Sequence, residues 1–332
     1  MKLTACVIVR NEQELLLECL ESVFQITRDV VVVDTGSVDR TTDIAKSCGC
    51  TVLDFKWQDD FSAARNYALE HSSGDWILSI DADERLQLQI SRDELFALLS
   101  TTDSQAFETT ILSYVGSNRT ADSLFWDKRI VLFRNDSKVR FQHRIHESIS
   151  ESLHKRYGAN LKINLLPATV EHLGYLDQII ERKSKHKRNI RLLELELGEK
   201  GESPWIDYCI GIEWSSCENW KKALQPLERV VHGAIGVPYW GLATYALAYC
   251  YLRLGIYTKC IAICDTALRL ESELRNQFSL LKSVTNWQTH TSMSTMFVEF
   301  SRNVVHSPDD YFAFILAYQL SANKIFEDFN LT

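Results

Sequence analysis

The sequence predicts an α/β domain, with a mostly parallel sheet and helices on both faces, followed by an all-helical domain. The first observation is that short apolar runs alternate with segments of helical period over the first 80 residues. The second is that these runs are continuously apolar, as in the four valines at 30–33, which is typical of parallel strands buried on both faces. The third is that strand-like segments stop near residue 175, where helical periodicity takes over.

The elements of the α/β part follow from periodicity and turn residues. Strands are predicted at 3–9, 29–34, 51–55 and 75–80, and helices at 12–24, 39–47 and 61–71, with Ser37 as a candidate N-cap. A helix at 93–99, longer strands at 106–114 and 124–133, and extended segments at 141–149 and 162–172 complete this part. The carboxyl ends of its parallel strands meet at one sheet edge, where ligands bind.

The second half predicts a helical repeat. A long helix is expected at 176–197, and the chain is helical from there onward. Six positions recur with a shift of 37 residues: Gly211, Trp214, Trp220, Ala223, Leu227 and Val230 recur as Ala248, Tyr251, Tyr257, Cys260, Cys264 and Ala267. The spacing is similar to the tetratricopeptide pattern of about 34 residues, and the alternative is a pair of ordinary helix hairpins. The predicted domains are 1–174, a linking helix at 175–200, and a tetratricopeptide-like domain at 201–332.

Composition excludes several classes of protein. The 332 residues are 45% hydrophobic and 24% charged, with a net charge of -8 that argues against a general nucleic-acid binder. No apolar run is long enough to span a membrane, and the first residues show no signal-peptide pattern. Nine cysteines occur without a Cys-x-x-Cys pair, which favours reduced core residues over a zinc site. We therefore expect a cytoplasmic protein.

The strongest chemical signal is the run Asp81-Ala82-Asp83-Glu84, which follows a predicted buried strand. Two carboxylates one residue apart can share a hard divalent cation, and such a cation suits a diphosphate. A polar turn is the structural alternative for so short a motif. Two other loops, Arg10-Asn11-Glu12 and the segment from Asp34 to Thr41, follow strands that end at the same sheet edge. Their convergence favours a ligand site.

Four motifs carry a resemblance to a known family. They are Arg10-Asn11-Glu12, Val33-Asp34-Thr35-Gly36-Ser37-Val38-Asp39-Arg40-Thr41, Phe61-Ser62-Ala63-Ala64-Arg65-Asn66 and Asp81-Ala82-Asp83-Glu84. In this order they resemble the signature of family 2 glycosyltransferases, which have the GT-A fold. The resemblance is good over residues 1–90 and moderate to about 175. The family's second loop usually begins with two acids, whereas Thr35 takes the second place here.

The resemblance implies an inverting enzyme with a UDP-sugar donor and a divalent cation, Mg²⁺ or Mn²⁺. The implied donor-binding residues are Val9, Arg10, Glu12, Asp34, Arg65, Asp81, Ala82 and Asp83. Val9 and Glu12 would line the nucleoside site, and Asp34 would meet the uracil. Arg65 would lie near the base and the diphosphate, Asp81 would touch ribose or sugar, and Asp83 would bind the metal. His172 is a possible further metal ligand.

An inverting transfer also needs one general base for the acceptor. The segment Arg144-Ile145-His146-Glu147 supplies it, with Glu147 as the favoured base and His146 as a nearby donor or ligand; helix capping is the alternative role. A basic run at 182–191 is interpreted as a solvated helix face. In the alternative interpretation, Lys183 or Arg188 meets the diphosphate or an acidic acceptor.

Together these features predict a metal-dependent glycosyltransferase whose acceptor is a peptide Cys or Ser side chain, with homodimerisation through the tail. The alternative acceptors are lipopolysaccharide or cell-surface glycans. Two further alternatives come from other classes of protein. One is a nucleotidyltransferase, which would usually show a Gly-rich loop after the first strand, and Arg10-Asn11-Glu12 is not one. The other is a non-catalytic helical scaffold.

Overall fold

The computed structural model describes residues 1–116, 124–176 and 185–270, and single residues between 274 and 285. The chain divides into two compact units, Met1–Lys185 and a second that begins at His186. The finer predicted bounds at residues 174 and 200 stay a prediction.

The first unit alternates strands and helices up to Ser79, as predicted. Its elements there are β1 (Leu3–Val9), α1 (Leu16–Phe24), β2 (Val30–Asp34), α2 (Thr41–Ser47), β3 (Thr51–Asp54), α3 (Phe61–Glu70) and β4 (Trp76–Ser79). The remaining elements are β5 (Glu84–Leu88), α4 (Arg92–Thr101), β6 (Ala106–Gly116), β7 (Leu124–Arg134), α5 (Ser150–Tyr157), a short 3-10 helix (Gly158–Asn160) and β8 (Ile163–Leu176). Strand β5 was not predicted.

The strands of this unit form one mixed sheet in the order β3-β2-β1-β4-β7-β6-β8-β5. Strands β1 to β4 pair in parallel, as expected for helix-connected strands, and β6 pairs in parallel with β8. Strand β7 is antiparallel to both β4 and β6, and β5 is antiparallel to β8. Because β7 pairs with β4, residues that come after position 120 in the chain lie beside the strand that precedes Asp81.

Helices cover both faces of the sheet, as predicted. Along β1, Ala5 and Val7 belong to a core cluster that includes side chains from α1, α2 and α4. Cys6 points to the opposite face and joins a second cluster, with Ala64 of α3 and Leu153 of α5. The alternation follows from the strand period of two, which sends successive side chains to opposite faces.

Three local predictions were wrong. Ser37 does not cap α2, which begins at Thr41; its backbone N–H instead donates to the Asp34 carboxylate. The helix predicted from residue 12 starts four residues later, at Leu16. The helix predicted at 176–197 does not start at residue 176, because strand β8 continues to Leu176; the helix is described over Lys185–Lys200, and residues 177–184 lie outside the described part.

The second unit is helical over its described residues. Its helices are α6 (Lys185–Lys200, whose first residue belongs to the first unit), α7 (Pro204–Ser216), α8 (Trp220–Gly233), α9 (Trp240–Arg253) and α10 (Tyr257–Arg269). Trp220 and Tyr257, which correspond in the 37-residue repeat, each begin a helix. Gly211 packs directly against Leu227, because a Cβ on Gly211 would lie 2.5 Å from Leu227 Cγ. Helices α7 and α8 therefore pack closely at this small-residue position of the repeat.

None of the nine cysteines is in a disulfide bond. Cys217 is exposed, and most of the others are buried. Among the residues that the structure describes, no helix is long and apolar enough to cross a bilayer.

Candidate functional site

The site is built around the turn that follows β4. The Asp81 backbone N–H donates to Glu84 Oε2 at 2.9 Å, and the Glu84 N–H donates to the Asp81 carbonyl at 3.0 Å. The Leu173 N–H of β8 donates to the Asp83 carbonyl at 2.9 Å. The turn is therefore held on both sides, and the two aspartates have fixed positions at the end of a buried strand.

Arg65 of α3 joins two of the predicted site residues. Its Nη2 atom lies 2.7 Å from Asp81 Oδ1, and its Nε atom lies 2.7 Å from Glu147 Oε1. Its Nη1 atom donates to Ser79 Oγ at 3.1 Å. The side chains of Arg65 and Glu147 are only 10% and 11% exposed, so this ion pair is shielded from solvent. Arg65, Asp81 and Glu147, which come from three separate segments of the sequence, thus meet.

Arg129 of β7 is a site residue that the sequence analysis missed. Its Nη2 atom donates to both carboxylate oxygens of Glu84, at 2.7 and 2.6 Å, and its Nη1 atom lies 3.7 Å from Asp81 Oδ2. Glu84 is fully buried, and its carboxylate also accepts the Asp81 N–H. No motif surrounds Arg129 in the sequence; only the antiparallel pairing of β7 with β4 and β6 brings it here.

The two arginines set the charge state of this cluster. Burial raises the pKa of the Asp81 carboxyl, but the nearby Arg65 and Arg129 outweigh burial and hold that pKa below its usual value. Burial dominates at Glu84 and raises its pKa above the ordinary value, although Arg129 opposes the shift. At neutral pH, Asp81 is therefore a stable carboxylate.

Asp83 and His172 form the second part of the site. His172 Nε2 lies 3.7 Å from Asp83 Oδ1, because Glu84 of β5 pairs with His172 of β8. The hydroxyl of Ser113 lies 3.1 Å from His172 Nδ1 and fixes the ring, in the manner of a residue behind a metal ligand. Asp83 and His172, which were predicted as metal ligands, thus lie side by side, and Ser113, which was not predicted, contacts His172.

Gly174 leaves space beside this pair. A Cβ on Gly174 would lie 2.4 Å from His172 Nε2 and 2.7 Å from Asp83 Oδ2, so a side chain there would fill the space between the two groups. The described residues contain no group of three or more His, Cys, Asp or Glu side chains that could hold a metal ion. One carboxylate and one imidazole fit Mg²⁺ or Mn²⁺ when substrate phosphates and waters complete the coordination.

The first two loops of the sheet edge are bonded to each other. The Asp34 carboxylate accepts the Ser37 N–H at 3.0 and 3.1 Å, and the Asn11 side chain accepts the Val38 N–H at 2.9 Å. The Glu12 N–H donates to Thr41 Oγ1 at 2.7 Å. Of the other predicted donor-binding residues, Val9 and Ala82 are buried, whereas Arg10 is exposed. These loops follow β1 and β2, next to the strand that leads to Asp81.

The segment with the predicted base is a closed loop. Gln142 and Ser148 pair through their backbones, and the Phe61 N–H donates to the Arg144 carbonyl at 2.9 Å, which anchors the loop to α3. His146 is exposed and has a positive φ of 54°, a backbone conformation that is unfavourable for residues other than glycine. The loop turns Glu147 toward Arg65. Of the basic run, Lys183 lies outside the described residues and Arg188 donates to Asn189.

The sequence of this chain is similar to those of known proteins. The family model described as Glycosyl transferase family 2 matches residues 4–156. A TPR repeat-containing protein of Synechococcus elongatus is 36% identical over 208 residues, which cover 62% of this chain and 50% of that protein. The glycosyltransferase SunS of Bacillus phage SPbeta is 29% identical over 236 residues, which cover 69% of this chain and 53% of SunS. The chain spans about half the length of these curated relatives.

Solved structures are less similar to the chain in sequence than these relatives are. The mannosyltransferase PcManGT from Pyrobaculum calidifontis, in complex with GDP-Man and Mn²⁺, is 16% identical and has a TM-score of 0.45, with 91% of this chain and 87% of that chain covered. TarS of S. aureus in complex with UDP-GlcNAc is 14% identical and has a TM-score of 0.41, with 89% and 93% covered.

Proposed function

Residues 4–156 of this chain match the model of glycosyltransferase family 2, and on that premise we propose that the protein is a metal-dependent, inverting glycosyltransferase that uses a UDP-sugar. One observation carries the proposal. Asp81, Asp83, Arg65 and His172 come from distant parts of the sequence and gather where β4 ends. Such an arrangement supports binding of a sugar nucleotide through its diphosphate.

Each residue has a part in this scheme. Asp34 and Glu12 serve the nucleoside end of the donor, and Asp81 meets the ribose or the sugar. Asp83 and His172 hold the cation, which supplies stabilisation of the negative charge that develops on the leaving diphosphate. Arg65 fixes the direction of the Asp81 carboxylate through the 2.7 Å contact. Arg129 and Glu84 keep the turn itself in place.

The acceptor needs a base on the side opposite the leaving group, and Glu147 is the first candidate. Its Oε1 atom lies 2.7 Å from Arg65 Nε, so the ion pair fixes the position of the carboxylate. His146, the adjacent residue, is the second candidate. Its exposed position and positive φ fit a residue that faces an incoming acceptor.

For the acceptor we propose a peptide Cys or Ser side chain. The support is the tail, whose helices α7 to α10 have the lengths and the 37-residue correspondence of a helical repeat. Stacked helical repeats commonly present concave surfaces that hold extended chains. Homodimerisation through the same tail is part of the proposal.

The donor step is tested without knowledge of the acceptor. The protein is incubated with a panel of UDP- and GDP-sugars and Mn²⁺ or Mg²⁺, and nucleotide binding and slow donor hydrolysis are measured. We expect one UDP-sugar to bind and to be hydrolysed, and Asp83→Ala to abolish both. Asp103→Ala is the control, because Asp103 is exposed and pairs with Lys162 on the surface. If no sugar nucleotide binds with either metal, the proposed function is wrong.

The acceptor is tested with the preferred donor carrying a labelled sugar. Peptides that contain Cys or Ser are offered in parallel with glycan acceptors, and products are analysed by mass spectrometry. Label on a peptide side chain supports the proposal, whereas label on glycans alone identifies the alternative glycan-synthesis role. The size of the protein in solution, measured by light scattering, tests homodimerisation.

A further inference from the structure

Lys185 is a charged residue of the first unit to which the scheme above assigns no role. Its Nζ atom donates to the Gly174 carbonyl at 2.6 Å. A Cβ on Gly174 would lie 3.0 Å from Lys185 Nζ, compared with 2.7 Å from Asp83 Oδ2 and 2.4 Å from His172 Nε2. The ammonium, the carboxylate and the imidazole therefore surround one small space, which exists because residue 174 has no side chain.

The position of this ammonium has two electrostatic consequences. It repels a divalent cation held by Asp83 and His172, because like charges a few ångströms apart raise the free energy of binding. It attracts a diphosphate that arrives at the same pair, because charge-assisted contacts between ammonium and phosphate are strong. The first effect opposes binding of the metal alone, and the second favours binding of the donor.

We propose that Lys185 is a donor-binding residue that contacts the diphosphate and makes metal binding depend on the donor. The inference rests on the proposed function, since it takes the ligand to be a nucleoside diphosphate. Once the diphosphate is bound, its negative charges offset the repulsion between the ammonium and the cation. Metal and nucleotide then strengthen each other's binding by the same factor, as thermodynamic linkage requires.

The neighbourhood supports this role over that of a simple surface lysine. Asp83 is only 8% exposed, so the charges that face Lys185 are poorly screened by solvent. The contact with the Gly174 carbonyl holds the ammonium of the half-buried Lys185 beside this space. Lys187, two residues later on α6, is exposed and provides a comparison within the same helix.

The test is calorimetric and uses the full chain. Binding of Mn²⁺ alone, and of UDP at saturating Mn²⁺, is measured for the wild type and for Lys185→Met, which keeps the length of the side chain and removes its charge. We expect Mn²⁺ alone to bind about fivefold more tightly and UDP about fivefold more weakly in the variant. Lys185→Arg should restore both constants toward the wild-type values, and Lys187→Met should change neither.

The possible failures are distinguishable. If the wild type binds no UDP with metal present, the proposed function itself fails. If the wild type binds UDP and either constant is the same in Lys185→Met, the role of Lys185 is overturned. Equal changes of the two binding constants in Lys187→Met would reveal a general charge effect and would also overturn the role of Lys185. Circular dichroism and a thermal melt of each variant identify any loss of folding, and the folded Lys185→Arg variant then decides the matter.

Discussion

Glu147 is held by Arg65, which lies 82 positions earlier in the chain, through an ion pair of 2.7 Å. The same guanidinium binds Asp81 at 2.7 Å. The candidate acceptor base and the candidate donor site therefore share one cation, and a change at Arg65 is expected to reach both.

Arg65→Met tests this shared dependence. The substitution leaves two shielded carboxylates without their main cation, which typically costs about 3–5 kcal/mol of unfolding free energy. We expect a loss of that size in urea unfolding, together with loss of UDP binding. Arg156→Met is the matched control, because Arg156 pairs with Asp136 at the same distance of 2.7 Å but is 41% exposed. Similar losses in both variants would contradict a special role for Arg65.

Glu147→Gln separates the base from the binding site. The amide has nearly the shape of the carboxylate but cannot accept the proton of the acceptor, so we expect transfer to fall about 10²- to 10⁴-fold while UDP binding changes little. Steady-state kinetics and calorimetry measure the two effects. Glu151→Gln serves as control, since Glu151 is 62% exposed and pairs with His143. A larger loss in His146→Asn than in Glu147→Gln would assign the base to His146.

Gly174→Ala tests the space between Asp83 and His172. The added methyl group would lie 2.4 Å from His172 Nε2, so the imidazole has to move. We expect Mn²⁺ affinity to fall about 10- to 100-fold, the range seen when metal ligands lose their orientation. Gly198→Ala on α6 is the control: its Cβ meets no atom within 4 Å, and it should stabilise the helix by up to about 1 kcal/mol. Unchanged Mn²⁺ binding in Gly174→Ala would argue against a metal at this pair.

Gly211→Ala tests the packing of the helical tail. The new Cβ would lie 2.5 Å from Cγ of the fully buried Leu227, which has no room to move. Overpacking of this kind costs about 1–3 kcal/mol, which urea unfolding detects. Gly233→Ala at the end of α8 meets no atom within 4 Å and should have little effect. A stable Gly211→Ala variant would mean that α7 and α8 pack less closely than described.

Asp136 predicts a pH dependence of stability. Hydrogen bonds from the Lys138 N–H, Arg156 and Tyr157 hold the pKa of its carboxyl below the ordinary value of 3.8, although burial opposes the shift. Because the folded-state pKa is the lower one, its stabilisation is complete above pH 3.8 and is lost as the pH falls through the folded-state pKa. The difference in unfolding free energy between wild type and Asp136→Asn should therefore be constant from neutral pH downward and shrink below pH 3.8. In an Arg156→Met background the decrease should still begin near pH 3.8, but it should be smaller and end at a higher pH, because the folded-state pKa lies closer to the ordinary value. A pH-independent difference would contradict the assignment.

The sequence predicted those parts of the site that depend on local pattern. Buried strands followed by acids placed Asp34, Asp81 and Asp83 at one sheet edge, because the carboxyl ends of parallel strands lie together. Arg65 and Glu147 came from the family resemblance, and the structure adds that they contact each other. The roles of the individual residues stay predictions until they are measured.

The sequence could not predict the residues that reach the site through antiparallel pairing. Arg129 and Ser113 lie on β7 and β6, whose position beside β4 depends on a choice of partner that no local pattern encodes. Glu84 belonged to the recognised motif, but its complete burial and its bonds to Arg129 required the sheet. The end of β8 was misjudged because the helical period was taken to begin at residue 176, which is the last residue of β8.

Strand β8 lies between β6 and β5 and carries His172, yet it begins at Ile163, after the end of the family match at residue 156. A chain cut back to the matched residues would leave β5 without its neighbour and would uncover one side of β6. Exposed strand edges of this kind invite aggregation. The unit that folds is therefore longer than the segment that the family model matches, and domain dissection of this protein has to retain β8.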